Sequence, residues 1–356
     1  MKKIVSLALA LLMALTACAL PTLAEQAPVV KAGVLTMLNL TEEDARSFMQ
    51  ATELLIRQLE KEGYCQSLLA DQFGSDRLSH EYEVAYYDNL ESMLMALNVG
   101  DIDNIDIYES TARYLIANNP ELIQSYTIDR TKEMNAFANN AVNGLLSHDF
   151  AFMFMEDRAA LRDEFDAALQ SITEEEKAQL IQEHIEKAIT EGVIAPVALP
   201  VIEGAETIRV AVTGALPPMD YVAPDGSPAG FNTALLAELS RRMNKNIELV
   251  VVDSIGRAAA LASGTVEAVF WTRTNRYAER VGQEDQAERD KSTKDFRSSL
   301  SDEENAVMDQ VIQTFASSRF HSFGRDDMPE GTIITQPYYS DIVVPVRIRD
   351  SIGAVK

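Results

Sequence analysis

Residues 96–105 read Ala-Leu-Asn-Val-Gly-Asp-Ile-Asp-Asn-Ile, and residues 260–269 read Ala-Leu-Ala-Ser-Gly-Thr-Val-Glu-Ala-Val. The two stretches align without a gap. Each reads as the end of a helix, a glycine, and an alternating strand that carries an acid. Gly100 and Gly264 stand where a helix C-cap takes a left-handed residue, a conformation glycine enters without steric cost. A strand-like run precedes each unit by one helix length, at 82–87 and at 247–253. The chain thus carries one strand–helix–glycine–strand unit twice, and such a repeat organises the reading of everything around it.

In the first half the patterns predict strands at 34–40, 82–87 and 102–107, with helices at 41–61 and 90–97 between them. Thr41 and Asp44 have cap spacing for the first helix. A strand at 150–155 and two helices close this half. The second of these opens at Thr173, with Glu176 completing a capping box, and shows an apolar face of Leu180, Ile181, His184, Ile185, Ala188 and Ile189. In the second half strands are expected at 208–213, 247–253, 266–271 and 341–348, with helices at 233–243 and 256–262. Alternation of this kind makes an α/β protein with a mainly parallel, helix-covered sheet. Residues 195–205 hold two prolines and a glycine and read as a linker between a lobe at 25–194 and a lobe at 206–356. The segment 281–331 reads as an acidic insertion. Ser301 and Glu304 form a capping box there, ahead of Val307, Val311, Ile312 and Phe315 on one helical face.

The first 24 residues read as an export signal: Lys2 and Lys3, an apolar run from Ile4 to Leu15, then small residues. The run is too short for a bilayer span, which takes roughly 20 apolar residues. Two processing sites compete. Leu15-Thr16-Ala17-Cys18 resembles a lipobox, with Cys18 lipidated, and Thr22-Leu23-Ala24 suits ordinary cleavage. Beyond Cys18 the chain has one cysteine, Cys65, so no internal disulfide is expected in the mature protein. Loss of Lys2 and Lys3 takes the formal charge from −24 to −26. That balance argues against nucleic acid and anionic lipid surfaces as partners. Apolar content of 47% excludes a disordered chain.

The second half resembles the family 3 extracellular solute-binding proteins, the periplasmic amino-acid-binding type with the type II periplasmic binding fold. The resemblance is carried by Ile208-Arg209-Val210-Ala211-Val212, Pro217-Pro218-Met219-Asp220-Tyr221, Asp225-Gly226, Gly230-Phe231-Asn232, Leu261 to Val269 and Gln336-Pro337-Tyr338-Tyr339. Members have two lobes joined by two hinge strands, and ligand is trapped as they close. Here the chain reads instead as two tandem copies of the first, ligand-presenting lobe. Only one linker would cross between them, and each copy should fold as its own three-layer helix–sheet–helix unit.

The resemblance implies a ligand site on the second half, formed by Tyr221, Gly230, Asn232, Trp271, Thr272, Arg273 and Arg276. Tyr221 either packs on the ligand side chain or belongs to the core. Arg273 and Arg276 either fork a carboxylate or offset nearby acids. The bulky Trp271 stands where the family places a small residue, and the register slips around it. In the first half Asp106, Tyr108, Ser110 and Arg113 occupy the equivalent edge, with a structural role expected. His80, His148, His184 and His321 lack metal-ligand spacing, and no nucleophile elbow or phosphate loop is present. The expectation is a non-enzymatic binding protein without cofactor or metal. Its ligand would be an amino acid or similar small polar solute. Its partner would be an ABC-type uptake system or sensor. The alternative is an envelope protein that kept the fold as a ligand-free interaction module.

Overall fold

The computed structural model describes residues 29–36, 41–68, 80–253, 256–274, 286–317 and 330–349. The leader at 1–24, with Cys18, lies outside the described residues. So do Arg276, His321 and part of the expected insertion.

The first half opens with β1 (Val29–Leu35), which starts earlier than the pattern suggests, and α1 (Glu42–Lys61). The Thr41 side chain accepts from the Asp44 amide, as its cap spacing requires. After β2 (Cys65–Ser67) come β3 (Glu81–Tyr87), α2 (Leu90–Val99), β4 (Asn104–Tyr108) and α3 (Glu109–Asn118). Two short strands, β5 (Leu122–Gln124) and β6 (Tyr126–Ile128), lead through α4 (Ala136–Asn140) and a π-helical turn to β7 (Ser147–Met155). Then follow α5 (Ala159–Ser171), α6 (Glu174–Ile181), a π-helical stretch at Gln182–Glu186 and α7 (Lys187–Glu191). Thr173 and Glu176 form the predicted capping box. Its apolar stripe is only partly used: Ile185 and Ala188 are buried and the remainder is half-buried.

The second half contains β8 (Thr207–Val212), β9 (Ala215–Leu216), β10 (Asp220–Val222), β11 (Pro228–Ala229), α8 (Gly230–Met243), β12 (Asn246–Val251), α9 (Gly256–Ala262) and β13 (Ala268–Thr274). It ends with α10 (Gln286–Ser298), α11 (Asp302–Ser317), β14 (Thr332–Ile334) and β15 (Tyr339–Ile348). Gly100 and Gly264, at φ 79° and 72°, end α2 and α9 as the repeat requires.

The repeat is visible in the sheet. β1 runs parallel to β3 and to β4, and β8 runs parallel to β12 and to β13. Each triplet has the same order, with the first strand in the centre. The returning strands are exchanged. β7, from the first half, pairs antiparallel with β13, while β15, from the second half, pairs antiparallel with β4. β7 and β15 also pair with each other, through Phe150–Tyr339, Asp149–Ser340, His148–Asp341 and Ser147–Ile342. The path reads β12-β8-β13-β7-β15-β4-β1-β3.

This corrects two expectations. The linker at 195–205 is not the sole crossing, because β7 and β15 cross as well, side by side. The halves 25–194 and 206–356 are therefore not separate three-layer units, since each triplet is completed by a strand from the other half. The physical reason lies in burial. β7 holds Phe150, Phe152 and Phe154 at 0–1% exposure and alternates with Ala151 and Met153, also buried. A strand apolar on both faces needs helix cover on each side and a neighbour along each edge. The insertion also reaches across: α11 packs on α1 of the first half through Met308 and Val311, while Ile312 of its expected apolar face is exposed. Its Ser301–Glu304 capping box forms as predicted.

Candidate functional site

In a parallel sheet, ligands collect beyond the carboxyl ends of the strands, where the connecting loops begin. Here two such edges exist, one at β1, β3 and β4 and one at β8, β12 and β13, with the β7–β15 ladder between them.

At the second-half edge the chain leaves β8 at Thr213 and turns through a cis Pro217-Pro218 bond into β10. Asp220 ties this loop down. Its Oδ2 accepts from the Thr213 amide at 2.7 Å, the Thr213 hydroxyl at 2.8 Å and the Gly214 amide at 3.0 Å. The loop returns to the start of α8, where the Phe231 amide donates to Pro218 O at 3.1 Å and the Asn232 amide to Met219 O at 2.8 Å. A Cβ on Gly230, at φ 86°, would lie 2.5 Å from Pro218 O. Gly230 thus serves a close approach between two parts of this chain. Asn232 is fully buried behind the loop, with Nδ2 at 3.4 Å from Asp220 Oδ1. Tyr221 is half-buried and packs beside Ala188, Ile194, Ala229 and Tyr114.

Trp271 fills space instead of lining it. It is 4% exposed and stacks on Phe150 at 3.7 Å between ring centroids. Tyr108 stands edge-on to both rings, and Tyr339 stacks at 5.9 Å. At this residue β13 carries a β-bulge: Val269 pairs with Met153 and Thr272 with Ala151, which leaves one extra residue. Trp271 adopts φ 62°, a left-handed conformation that is costly for a bulky side chain. Its amide accepts support from Tyr338, donating to the hydroxyl at 3.1 Å, and the Arg257 guanidinium donates to the carbonyls of Phe270 and Trp271. Thr272 is buried opposite Ala151, and Arg273 is half-buried opposite Phe150.

The β7–β15 ladder is polar where it meets this cluster, through His148 and Asp341. His148 is buried, 3.4 Å from the Tyr108 hydroxyl; burial, and then the Arg273 charge, holds its pKa well below the usual value and keeps the ring neutral. Asp341 accepts from the Ser110 hydroxyl at 2.6 Å and the Ser110 amide at 3.2 Å, at the start of α3. Burial pushes its carboxyl up to about 6 against those hydrogen bonds. One turn along α3, Arg113 makes a two-pronged ion pair with Glu186, at 2.8 and 2.6 Å. The guanidinium holds the Glu186 carboxyl below its usual range.

The remaining titratable candidates are structural. Burial pushes the Cys65 thiol up to about 12, which leaves it unreactive. His184 is half-buried on its helix. Among the described residues no group of three or more His, Cys, Asp or Glu side chains could hold a metal ion. A cavity of about 30 Å³ lies between α1 and β15, with Glu53, Asn104, Asp106 and Arg347 in its wall. It is far smaller than a ligand pocket and has room for roughly two waters.

Residues 208–286 match the family model of bacterial extracellular solute-binding proteins, family 3. No curated protein matches the chain. Among solved structures, the ligand-binding component of an ABC-type import system from Staphylococcus aureus, with zinc bound, aligns at TM-score 0.38 and 10% identity, over 92% of this chain and 68% of that one. The alkanesulfonate-binding protein SsuA from Xanthomonas axonopodis pv. citri, bound to MOPS, aligns at TM-score 0.28 and 12% identity, over 70% of this chain and 56% of that one. The VFT2 domain of BvgS from Bordetella pertussis aligns at TM-score 0.36 and 12% identity, over 92% and 84%. The family match covers the loop and α8 that hold Tyr221, Gly230 and Asn232, together with the second copy of the repeat.

Proposed function

We propose that this chain is an extracytoplasmic solute-binding protein that takes an amino acid or small organic acid between two lobes and serves an ABC-type transporter or a sensor. The observation that carries the reading is the pair of strands β7 and β15, which cross side by side between two like-ordered strand triplets. Two crossing strands restrict the triplets to a hinge, so both carboxyl edges contribute to one site. That replaces the expectation of a site on the second half alone. It also removes the motive for a ligand-free scaffold, which was the apparent loss of the closing lobe. Tyr221 and Arg273 are the proposed contacts from the second half, and Ser110 and Arg113 those from the first. Gly230, Asn232 and Trp271 support the site from behind. Titration calorimetry of the mature protein against amino acids and small organic acids tests the proposal. Heat from at least one solute class is expected, and silence across the set, for the native protein and for the Glu186→Gln variant described below, refutes it.

A further inference from the structure

Residues 186–197, which include α7, touch both lobes. Glu186 grips Arg113 on α3 of the first, and beyond it Gly192 turns the chain at φ 69°, against the Asn118 side chain. Ile194 and Ala188 are buried against Tyr114 of the first lobe and against Tyr221 and Ala229 of the second. The chain then pairs with the second lobe, where Pro196 bridges Ala229 and the Val197 amide donates to Pro228 O at 2.9 Å. A carboxylate and an aliphatic side chain of the protein therefore occupy the guanidinium and the two tyrosines at the edges where a solute would enter. The ion pair is half-open to solvent, with the two side chains 42% and 33% exposed, so water competes for it.

We propose that residues 186–197 are a built-in occupant of the cleft. Glu186 holds Arg113 as the carboxylate of a solute would, and a carboxylate solute with an aliphatic body enters by displacing it. The inference rests on the solute-binding reading above. It makes Arg113 the anion-recognising residue and Glu186 its internal competitor, since a fork of guanidinium donors can take one carboxylate in this geometry at a time.

The test uses the full mature chain. Glu186→Arg and Arg113→Glu each place like charges together, and the double exchange restores an opposite pair. Hydrogen exchange at the Val197 amide is expected to quicken about tenfold in each single variant and to return in the double variant. Amides of β7 stay protected throughout and report that the fold is intact. Binding is read with 4-methylpentanoate as probe and isoamylamine as cationic control. Glu186→Gln, which frees Arg113, is expected to bind the acid about tenfold more tightly than the native chain, with no gain for the amine. Exchange at Val197 that ignores both single reversals overturns the strap. An acid affinity unchanged by Glu186→Gln overturns Glu186 as a surrogate ligand, whatever other solutes the protein binds.

Discussion

The exchange of β7 and β15 makes the second half dependent on the first, and a fragment spanning 206–356 measures that dependence. In the fragment β13 loses its antiparallel neighbour, and β15 loses β4, β5 and β7 together. The large side chains withdrawn with β7 are Phe150, Phe152, Met153 and Phe154, all at 3% exposure or less. At about 1.5–3 kcal/mol for each fully buried side chain, their removal costs roughly 6–12 kcal/mol. A domain of this kind has about 5–15 kcal/mol in total. Ile342, Val344 and Val346 of β15, all buried, would also lose cover. The fragment is expected to lack a cooperative urea transition by circular dichroism, and to form one on mixing with a fragment spanning 25–205. A fragment of 206–356 that unfolds cooperatively by itself, with a denaturant slope suited to its size, would refute the argument that the exchanged strands complete the two triplets.

Three further outcomes follow from single residues. Gly230→Ala places a Cβ 2.5 Å from Pro218 O at a φ of 86°, so a loss of at least about 3 kcal/mol in urea unfolding is expected, against about 1 kcal/mol for Gly226→Ala, where φ is also positive but nothing lies nearby. Phe150→Ala removes the ring stacked on Trp271, the sole tryptophan, and is expected to cost about 3–5 kcal/mol and to shift the emission maximum to the red. Asp106 is held up to about 7 by burial, against the Asn104 hydrogen bond and the Arg347 charge and with Glu53 adding to the rise. Its folded pKa lies above the unfolded value, so its protonated form favours folding at low pH and that contribution is lost as pH rises from about 4 through 7. Asp106→Asn should therefore gain on the native chain over that window by on the order of 4 kcal/mol, and parallel stability–pH curves would contradict it.

Most of the elements were legible because they rest on local rules. Thr41, Thr173 and Ser301 cap helices where their spacing to an acid predicts, and Gly100 and Gly264 end helices where a left-handed residue is required. The repeat named a strand–helix–glycine–strand unit in each half, and both copies are present in the sheet. Which triplet a returning strand joins was not legible. Residues 147–155 carry apolar groups on both faces, and that pattern asks for a central position without naming the neighbours. Pairing of β7 with β13, more than a hundred residues away, is decided by how the two halves fit together, and no local signal in either strand encodes it.

The site divides in the same way, and the division bears on how the molecule could open. The loop from Thr213 to Asn232 was recognisable from its motif, yet the motif did not reveal that Asp220, Gly230 and Asn232 mostly hold the loop itself. Trp271 left a trace, a bulky residue where the family places a small one, and its ring turns inward onto Phe150 beside the bulge. Glu186 left none, because an acid on the polar side of an amphipathic helix looks like any solvated charge. Opening the cleft would set these contacts against one another. Phe150, Trp271 and Tyr339 lie on β7, β13 and β15, and Tyr108, though from the first half, pairs directly with Val343 on β15. The cluster therefore sits on the β7–β15 ladder, where the proposed hinge rotation would displace atoms least. Aromatic pairs there contribute about 0.5–1.5 kcal/mol each beyond their burial. The contacts of 186–197 consist of a half-open ion pair, within electrostatic reach of Tyr339 on the ladder, and a small apolar cluster. A motion that separates the lobes breaks the half-open ion pair more readily than the buried aromatic cluster. The hinge can then stay packed around Trp271 while the strap leaves, and binding should quicken exchange at Val197 without changing the emission of Trp271.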